Sequence, residues 1–253
     1  MARTDLALAR ELAARAAEVA LRYFRHPLNV RLKPDGTNVT DADLAVEACL
    51  LEILARERPD DAVLSEERGQ IGHAHRTWIL DPIDGTSPFA EGHPKHWGTH
   101  IALQLGEEVV LGVITRPVAG HCWWATKGGG AHRGSLQPST SDQVLRVSKT
   151  PDLRESTVAF WAETADARRR RDILQAEANL VEATMDCILE VAGGELDLAI
   201  CDSSSPWDLA PGVLLVEEAG GRFTDPAGGR RLDMGEGWYS NSLVHVAAQG
   251  TIR

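Results

Sequence analysis

The run Trp78-Ile79-Leu80-Asp81-Pro82-Ile83-Asp84-Gly85-Thr86 sets two carboxylates, a glycine and a hydroxyl at the end of an apolar stretch. The apolar residues read as a buried strand. Pro82 has no N–H for a further ladder bond, so Asp81 is expected at the strand's C-terminal edge, where ligands gather in α/β sheets. A turn-length spacing lets the Asp81 and Asp84 side chains and the Ile83 carbonyl enter one small volume, and three converging oxygens suit a hard cation such as Mg²⁺. Gly85 permits close backbone approach, and the N–H groups of Gly85 and Thr86 can cradle phosphate oxygens if a short helix starts there. The same residues also fit an Asp-Gly turn with solvated carboxylates, because short motifs match by chance.

Two further acidic clusters weigh on that choice. Upstream, Ala62-Val63-Leu64-Ser65-Glu66-Glu67 is a second short apolar strand ending in carboxylates. Downstream, Trp207-Asp208-Leu209-Ala210-Pro211-Gly212 opens an apolar helical stretch that Gly220-Gly221 stops, and Pro211 places Asp208 in or just before its first turn. Acids delivered from three places in the chain are what a multi-metal phosphoryl-transfer site requires, since the attacking and leaving oxygens must both be held.

With these motifs the chain resembles the inositol monophosphatase superfamily of Mg²⁺-dependent phosphomonoesterases. The resemblance spans almost the whole sequence. It is carried by Lys33-Pro34-Asp35-Gly36-Thr37-Asn38-Val39-Thr40-Asp41-Ala42-Asp43, Ser65-Glu66-Glu67, the Asp81 to Thr86 motif, and Trp207-Asp208 with Glu217-Glu218-Ala219-Gly220-Gly221. It implies a five-layer αβαβα sandwich of the α/β class and two to three Mg²⁺ ions per site. Glu66, Asp81 and the Ile83 carbonyl would hold the first ion, Asp81, Asp84 and Asp208 the second, and waters with Glu66 a weaker third. Thr86 and Asp43 match the pair that orients and deprotonates the attacking water, and Lys33 matches an outer-shell lysine. The implied reaction is direct in-line hydrolysis of a small phosphate ester without a phosphoenzyme, and homodimers are implied as well.

Within the superfamily the stretches 38–64, Thr115-Arg116-Pro117 with Trp123-Trp124-Ala125, and 207–211 look most like histidinol-phosphate phosphatases. Two features depart from that pattern. Cys201 stands where many relatives carry an acid, with Asp202 one position out of register, and Glu182-Ala183-Thr184 replaces a Gly-Ser or Gly-Asp element. With Ser87, these residues (Glu182, Thr184, Cys201, Asp202) form the expected substrate pocket, and inositol or another cyclitol or sugar phosphate stays open as substrate. A non-catalytic binding or scaffolding relative is the contrasting class, disfavoured because every metal acid and the threonine are present.

Composition narrows the partners. A formal net charge of −11 over 253 residues disfavours nucleic acid, and 43% apolar residues suffice for a full core. No hydrophobic run reaches transmembrane length and no secretory signal opens the chain, so a cytoplasmic location is expected. Cys49, Cys122, Cys187 and Cys201 lack metal or redox spacing and read as free thiols.

The elements that must position the acids follow from periodicity. A helix over 5–25 is capped by Thr4, with Leu6, Ala9, Ala13, Ala16, Ala20 and Tyr23 on one face, and a second runs from Thr40 to about Arg56. Strands are expected over 99–105, 109–116 and 122–125 as an antiparallel meander, with a hairpin at Gly128-Gly129-Gly130. A polar stretch from Gly134 to Asp142 suits a connection between lobes 1–140 and 141–253. In the second lobe a strand over 158–161, helices over 165–179 and 184–192, a strand over 196–200, the Asp208 helix, a strand over 222–224 and a final strand over 243–247 are expected. His73, His75, His93, His96 and His100 raise a zinc site as a minor alternative. The Arg168 to Arg171 run reads as a solvated helix face, and Trp123 and Trp124 must point to opposite sides of their strand.

Overall fold

The computed structural model describes residues 4–137 and 142–252. The expected lobe boundary at 140/141 lies outside the described residues. Helix α1 (Asp5–Tyr23) starts at Thr4, whose hydroxyl accepts from the Ala7 N–H, and α2 (Asp41–Glu57) starts at a capping box formed by Thr40 and Asp43. Alanines 9, 13, 16, 17 and 20 are buried on one face of α1, which lets the two helices pack closely. Between them β1 (Arg31–Leu32) and β2 (Asn38–Val39) form a small hairpin.

The first sheet holds β3 (Ala62–Ser65), β4 (Gly69–Ile71), β5 (Arg76–Asp84), β6 (Gly98–Leu105), β7 (Glu108–Arg116), β8 (His121–Thr126), β9 (Gly130–Ser135) and β10 (Gln143–Val144). Its order is β10-β9-β8-β7-β6-β5-β3-β4. Only the β3/β5 pairing is parallel; the rest is the antiparallel meander expected from the turn residues. A short helix, α3 (Thr86–Ala90), follows β5.

The second sheet, in order β12-β11-β13-β15-β14, contains β11 (Thr157–Trp161), β12 (Asn179–Val181), β13 (Leu198–Asp202), β14 (Gly221–Thr224) and β15 (Glu236–Asn241). Helices α4 (Ala165–Leu174), α5 (Cys187–Gly193), α6 (Pro206–Glu218) and α7 (His245–Ile252) complete the chain.

Three hydrophobic clusters show how the layers stack. The first joins α1 and α2 to one face of the large sheet; the second joins the other face to α5, α6 and the small sheet; the third joins that sheet's far face to α4 and α7. The result is the five-layer αβαβα sandwich. Helix α6 sits in the middle and is apolar nearly all round, as a helix buried between two sheets must be. It lies so close to β7 that a Cβ at Gly112 would fall 2.4 Å from the Pro211 carbonyl oxygen. Trp124 packs toward α1 and α2 and Trp123 toward α5 and α6, so both rings are core.

Several expected elements are corrected. Strand β5 does not stop at Asp81 but runs to Asp84 through a register shift, with Asp81 opposite His100 and Asp84 opposite Gly98. Pro82 lies in that irregularity, where its missing N–H costs no ladder bond and its carbonyl accepts from Thr99 Oγ1. Helix α4 ends at Leu174, because residues 179–181 pair in parallel with β11. The final strand expected over 243–247 is instead α7, started by Asn241 Oδ1 accepting from the N–H groups of Leu243 and Val244. Val244, Ala248 and Ile252 then recur at helical spacing on the core. In the arginine run, Arg170 is not solvated: it forms a two-pronged pair with the buried Glu236 and ties α4 to β15.

Candidate active site

Two strand ends and three helix starts meet at one edge of the large sheet. Parallel pairing sets Ser65 beside Leu80, so the next residues, Glu66 just past the end of β3 and Asp81 within β5, stand side by side. Along an unbroken strand, residues three apart face opposite sides. The shift between Asp81 and Asp84 cancels that alternation and brings both carboxylates together with the His100 side chain; one donor atom from each lies within 4.8 Å of the others. Gly85 follows with φ 81°, and a Cβ there would meet the His96 carbonyl oxygen at 2.3 Å, so the turn into α3 requires glycine.

The helix starts use one device twice. Asp43 and Asp208 both occupy the third helical position and accept from the N–H of their own cap residue, Thr40 at 2.8 Å and Ser205 at 2.6 Å. The capping box thus fixes one oxygen of each carboxylate and leaves the other for a different task. For Asp43 that second oxygen accepts from Thr86 Oγ1 at 2.9 Å, while its first also accepts from Thr40 Oγ1 at 2.5 Å. Thr86 Oγ1 also lies 3.2 Å from the Ile83 carbonyl.

The acids crowd one another. Burial, then the charges of Glu66, Asp84 and Asp208, push the Asp81 carboxyl well above the usual carboxylate range. Asp208 rises to about 7 from burial and then the proximity of Asp84. Glu66 and Asp43 are raised chiefly by burial, and Glu67 rises to about 7 from burial and the neighbouring Glu66. Asp84 goes the other way: burial raises it, but the adjacent His100 and Arg116 outweigh burial and hold it low. Lys33 donates to Glu66 at 2.6 Å and Glu67 at 3.1 Å, and these carboxylates hold its ammonium above the ordinary lysine value despite burial. Asp81 Oδ1 and Asp84 Oδ2 are buried without a hydrogen-bond partner among the described residues. Buried carboxylate oxygens without hydrogen-bond donors, set close together, fit a divalent cation such as Mg²⁺.

The structure therefore gathers Lys33, Asp43, Glu66, Asp81, Ile83, Asp84, Gly85, Thr86 and Asp208. Ser87 sits in the first turn of α3, where its hydroxyl accepts from Asn38 Nδ2. Cys201 is buried against Cys187, close enough to Asp208 and Asp84 for their charges to raise its thiol further. Asp202 does not join them. Its Oδ2 accepts from the N–H groups of Glu163 and Thr164, on the face of β13 opposite Cys201, so it cannot stand in for the missing acid. Glu182 is exposed beside β12 and lines a separate hollow with Trp161 and Arg171. Thr184 Oγ1 accepts from the Asp186 N–H and so shapes the turn before α5.

Arg116 and His100, both visible in the sequence, take places beside Asp84 that their motifs do not indicate. Arg116, at the end of β7, crosses to the α5 side, donating to Asp186 Oδ1 at 2.7 Å and to the Met185 carbonyl at 2.8 Å. Its NH1 comes within 3.8 Å of Asp84. His100 leaves the other histidines and stands 3.2 Å from Asp84. Among the described residues no three-donor cluster other than Asp81, Asp84 and His100 forms, so the histidine-based zinc site expected as a minor alternative is not assembled. The signal available was a histidine in the middle of a buried strand, β6. A cavity of about 270 Å³ opens from Arg116, lined by Trp123, His121, Arg133, Asp186 and Glu190.

A layered α/β sandwich that gathers acids from two strand ends and a helix start has the donor set that metal-assisted phosphoryl transfer requires. The family model described as "Inositol monophosphatase family" matches residues 1–252, and the chain belongs to that family. A histidinol-phosphatase of Mycobacterium tuberculosis is 38% identical over 255 residues, covering 97% of this chain and 96% of the relative. A Streptomyces griseus protein named glucose-1-phosphate thymidylyltransferase is 42% identical over 251 residues, covering 96% and 92%. Among solved structures, the extragenic suppressor protein SuhB of Bartonella henselae superposes with a TM-score of 0.87 at 26% identity, covering 98% of each chain. The protein is thus a phosphatase of the inositol monophosphatase family, and no described helix is long and apolar enough to cross a membrane.

Proposed function

We propose that the protein hydrolyses the phosphate monoester of a small polar alcohol, with histidinol phosphate as the first substrate. The observation that carries the reading is the Thr86–Asp43 pair set against the unpartnered oxygens of Asp81 and Asp84. The acids Glu66, Asp81, Asp84 and Asp208, with the Ile83 carbonyl, would hold Mg²⁺. The cation supplies charge neutralisation for the phosphoryl group and lowers the pKa of the attacking water.

The remaining work belongs to the chain. Thr86 Oγ1 donates to Asp43 and keeps lone pairs for a water proton, so the hydroxyl relays that proton to the carboxylate. Thr40 fixes the far oxygen of Asp43, and burial raises its pKa, which suits a base. The N–H groups at the start of α3 have no side-chain cap competing for them and would receive phosphate oxygens. Lys33 offsets the charge of Glu66 and Glu67 from outside the cluster.

Histidinol phosphate is favoured by the M. tuberculosis relative and by the cavity next to Arg116, where Glu190 and Glu195 offer carboxylates to an ammonium among the cations Lys95 and Arg133, and Trp123 gives an aromatic wall. Inositol 1-phosphate is the second reading, supported by a Caulobacter vibrioides relative named inositol-1-monophosphatase, 32% identical over 229 residues. The test is phosphate release by metal-stripped protein, with and without Mg²⁺, on histidinol phosphate, inositol 1-phosphate, other cyclitol and sugar phosphates, and glucose 1-phosphate with a thymidine triphosphate. Mg²⁺-dependent release that is fastest from histidinol phosphate is expected. Preference for a cyclitol ester would overturn the substrate, and pyrophosphate formation from the last mixture would overturn the reaction.

A further inference from the structure

We infer that His100 is a nitrogen donor to the cation held by Asp81 and Asp84, and that it tilts this site from Mg²⁺ toward Mn²⁺ and other borderline metals. The inference rests on the proposed cation site and deepens it. His100 is nine-tenths buried, and neither ring nitrogen has a hydrogen-bond partner among the described residues. Its Nε2 lies 3.2 Å from Asp84 Oδ2, which is also buried and without such a partner. In the metal-free protein these two atoms attract one another electrostatically without forming a well-aligned hydrogen bond, and a bound cation would replace the ring proton between them and satisfy both.

The spacing is right for a shared cation. Adjacent donors around an ion with bonds of about 2.1 Å stand roughly 3 Å apart in octahedral geometry. Pairing of Asp81 with His100 across β5 and β6 puts their side chains on one face of the sheet, so the imidazole enters the cluster from a rigid strand rather than a loop. Arg116 does not take this role. Its three nitrogens already donate to Asp186, Met185 and Thr115, and the nearest approach to Asp84 is 3.8 Å.

Imidazole changes the chemistry of an otherwise all-oxygen site. Carboxylate, carbonyl and water suit Mg²⁺, while a neutral imidazole suits first-row transition ions better, and Mn²⁺ accepts both donor types. Substitution of His100 by an apolar residue of similar bulk should therefore cost Mn²⁺ more than Mg²⁺.

The experiment loads metal-stripped full-length protein with Mn²⁺ and records its pulsed electron paramagnetic resonance spectrum, alongside calorimetric affinities for Mn²⁺ and Mg²⁺, for wild type and His100→Leu. A ¹⁴N coupling of imidazole type is expected in the wild type, replaced by ¹⁵N coupling when histidine is ¹⁵N-labelled and absent in His100→Leu. The ratio of Mn²⁺ to Mg²⁺ affinity should fall by about tenfold or more in the variant, on the scale seen when a metal site loses one supporting group. Tight Mn²⁺ binding without ¹⁴N coupling in the wild type overturns the role of His100 and leaves the acid site standing. Absence of divalent binding in the wild type overturns both. If His100→Leu fails to fold, the wild-type spectra of the two labelling states still decide.

Discussion

Two groups of buried carboxylates lie in this molecule, and they are treated in opposite ways. In the small sheet, Asp197 accepts from the Thr157 N–H, Asn241 and Ser148, Asp202 from two loop N–H groups, and Glu236 from Arg170 and Trp238. Asp225 accepts from the N–H groups of Ala227, Gly229 and Arg231. Those acids are spent on tying loops and strands together. At the edge of the large sheet Asp81 sits equally deep, with Asp84 and Asp208 partly buried beside it, and one oxygen each of Asp81 and Asp84 is left without a hydrogen-bond partner among the described residues. Burying a charge costs free energy unless it is paired, so a fold that tolerates the second arrangement holds it ready for a cation.

Neutralising one acid from each group should separate the two most sharply. Asp81→Asn removes a cation donor and is expected to lower phosphate release by about 10³-fold, the scale of losing a preorganised charge-stabilising group. The same change relieves repulsion with Glu66, Asp84 and Asp208, so the metal-free variant should melt above the metal-free wild type. A lower melting temperature would place Asp81 among the structural acids. Asp197→Ala strands the Thr157 N–H and the Ser148 hydroxyl proton, and a loss of about 2–4 kcal/mol in unfolding free energy is expected with turnover per folded molecule unchanged. Denaturant titration with an active-site count checks both halves.

Thr86→Ala sharpens the contrast inside the active group. The hydroxyl bonds Asp43 but is no donor of the acid cluster, so turnover should drop by about 10²-fold while calorimetric Mg²⁺ affinity stays within a factor of about three. Equal losses in both would make Thr86 a support for the cluster rather than a proton relay.

The difference between the two groups was only half legible in the sequence. Asp81, Asp84 and Thr86 could be found because one short stretch of chain carries them, and Asp43 because Thr40 announces a helix start, whereas Pro211, from which Asp208 was placed, lies inside α6 and the start is marked by Ser205 and Pro206. The partners of the structural acids come from distant segments, such as Asn241 for Asp197, and no local pattern encodes them. Asp202 shows the cost of ignoring period two: one step from Cys201 along β13 is the opposite face, and its carboxylate belongs to the loop before α4. His100 was legible as a residue but not as a neighbour, because its meeting with Asp84 depends on the register shift in β5. The terminal stretch 243–247 looked like a strand by its β-branched and apolar residues, and only the Asn241 side chain turns it into a helix.

The gentlest way to probe the comparison changes no residue. Asp208 titrates near 7 in the folded, metal-free protein, against about 3.9 for an unfolded aspartate. Between those values the folded state keeps a proton that the unfolded state has lost, so stability falls as pH rises from about 4 to 7. Asp81, raised in the same sense, adds to that slope, whereas Asp84, held low by His100 and Arg116, contributes stability that is lost only at acid pH. The metal-free protein is therefore expected to lose on the order of 1–2 kcal/mol across the window, less than full desolvation would give because neighbouring dipoles and entering water screen the charges. Saturating Mg²⁺ should flatten or reverse the slope, since a bound cation favours the ionised acids. Asp208→Asn should make it shallower without added metal, since Asp43, Glu66, Glu67 and Asp81 are raised in the same direction. Chemical denaturation at several pH values, with and without Mg²⁺, reads all three. A metal-free protein whose stability rises steadily through this window would mean that these carboxylates are as well satisfied as those of the small sheet, and the distinction between the two groups would collapse.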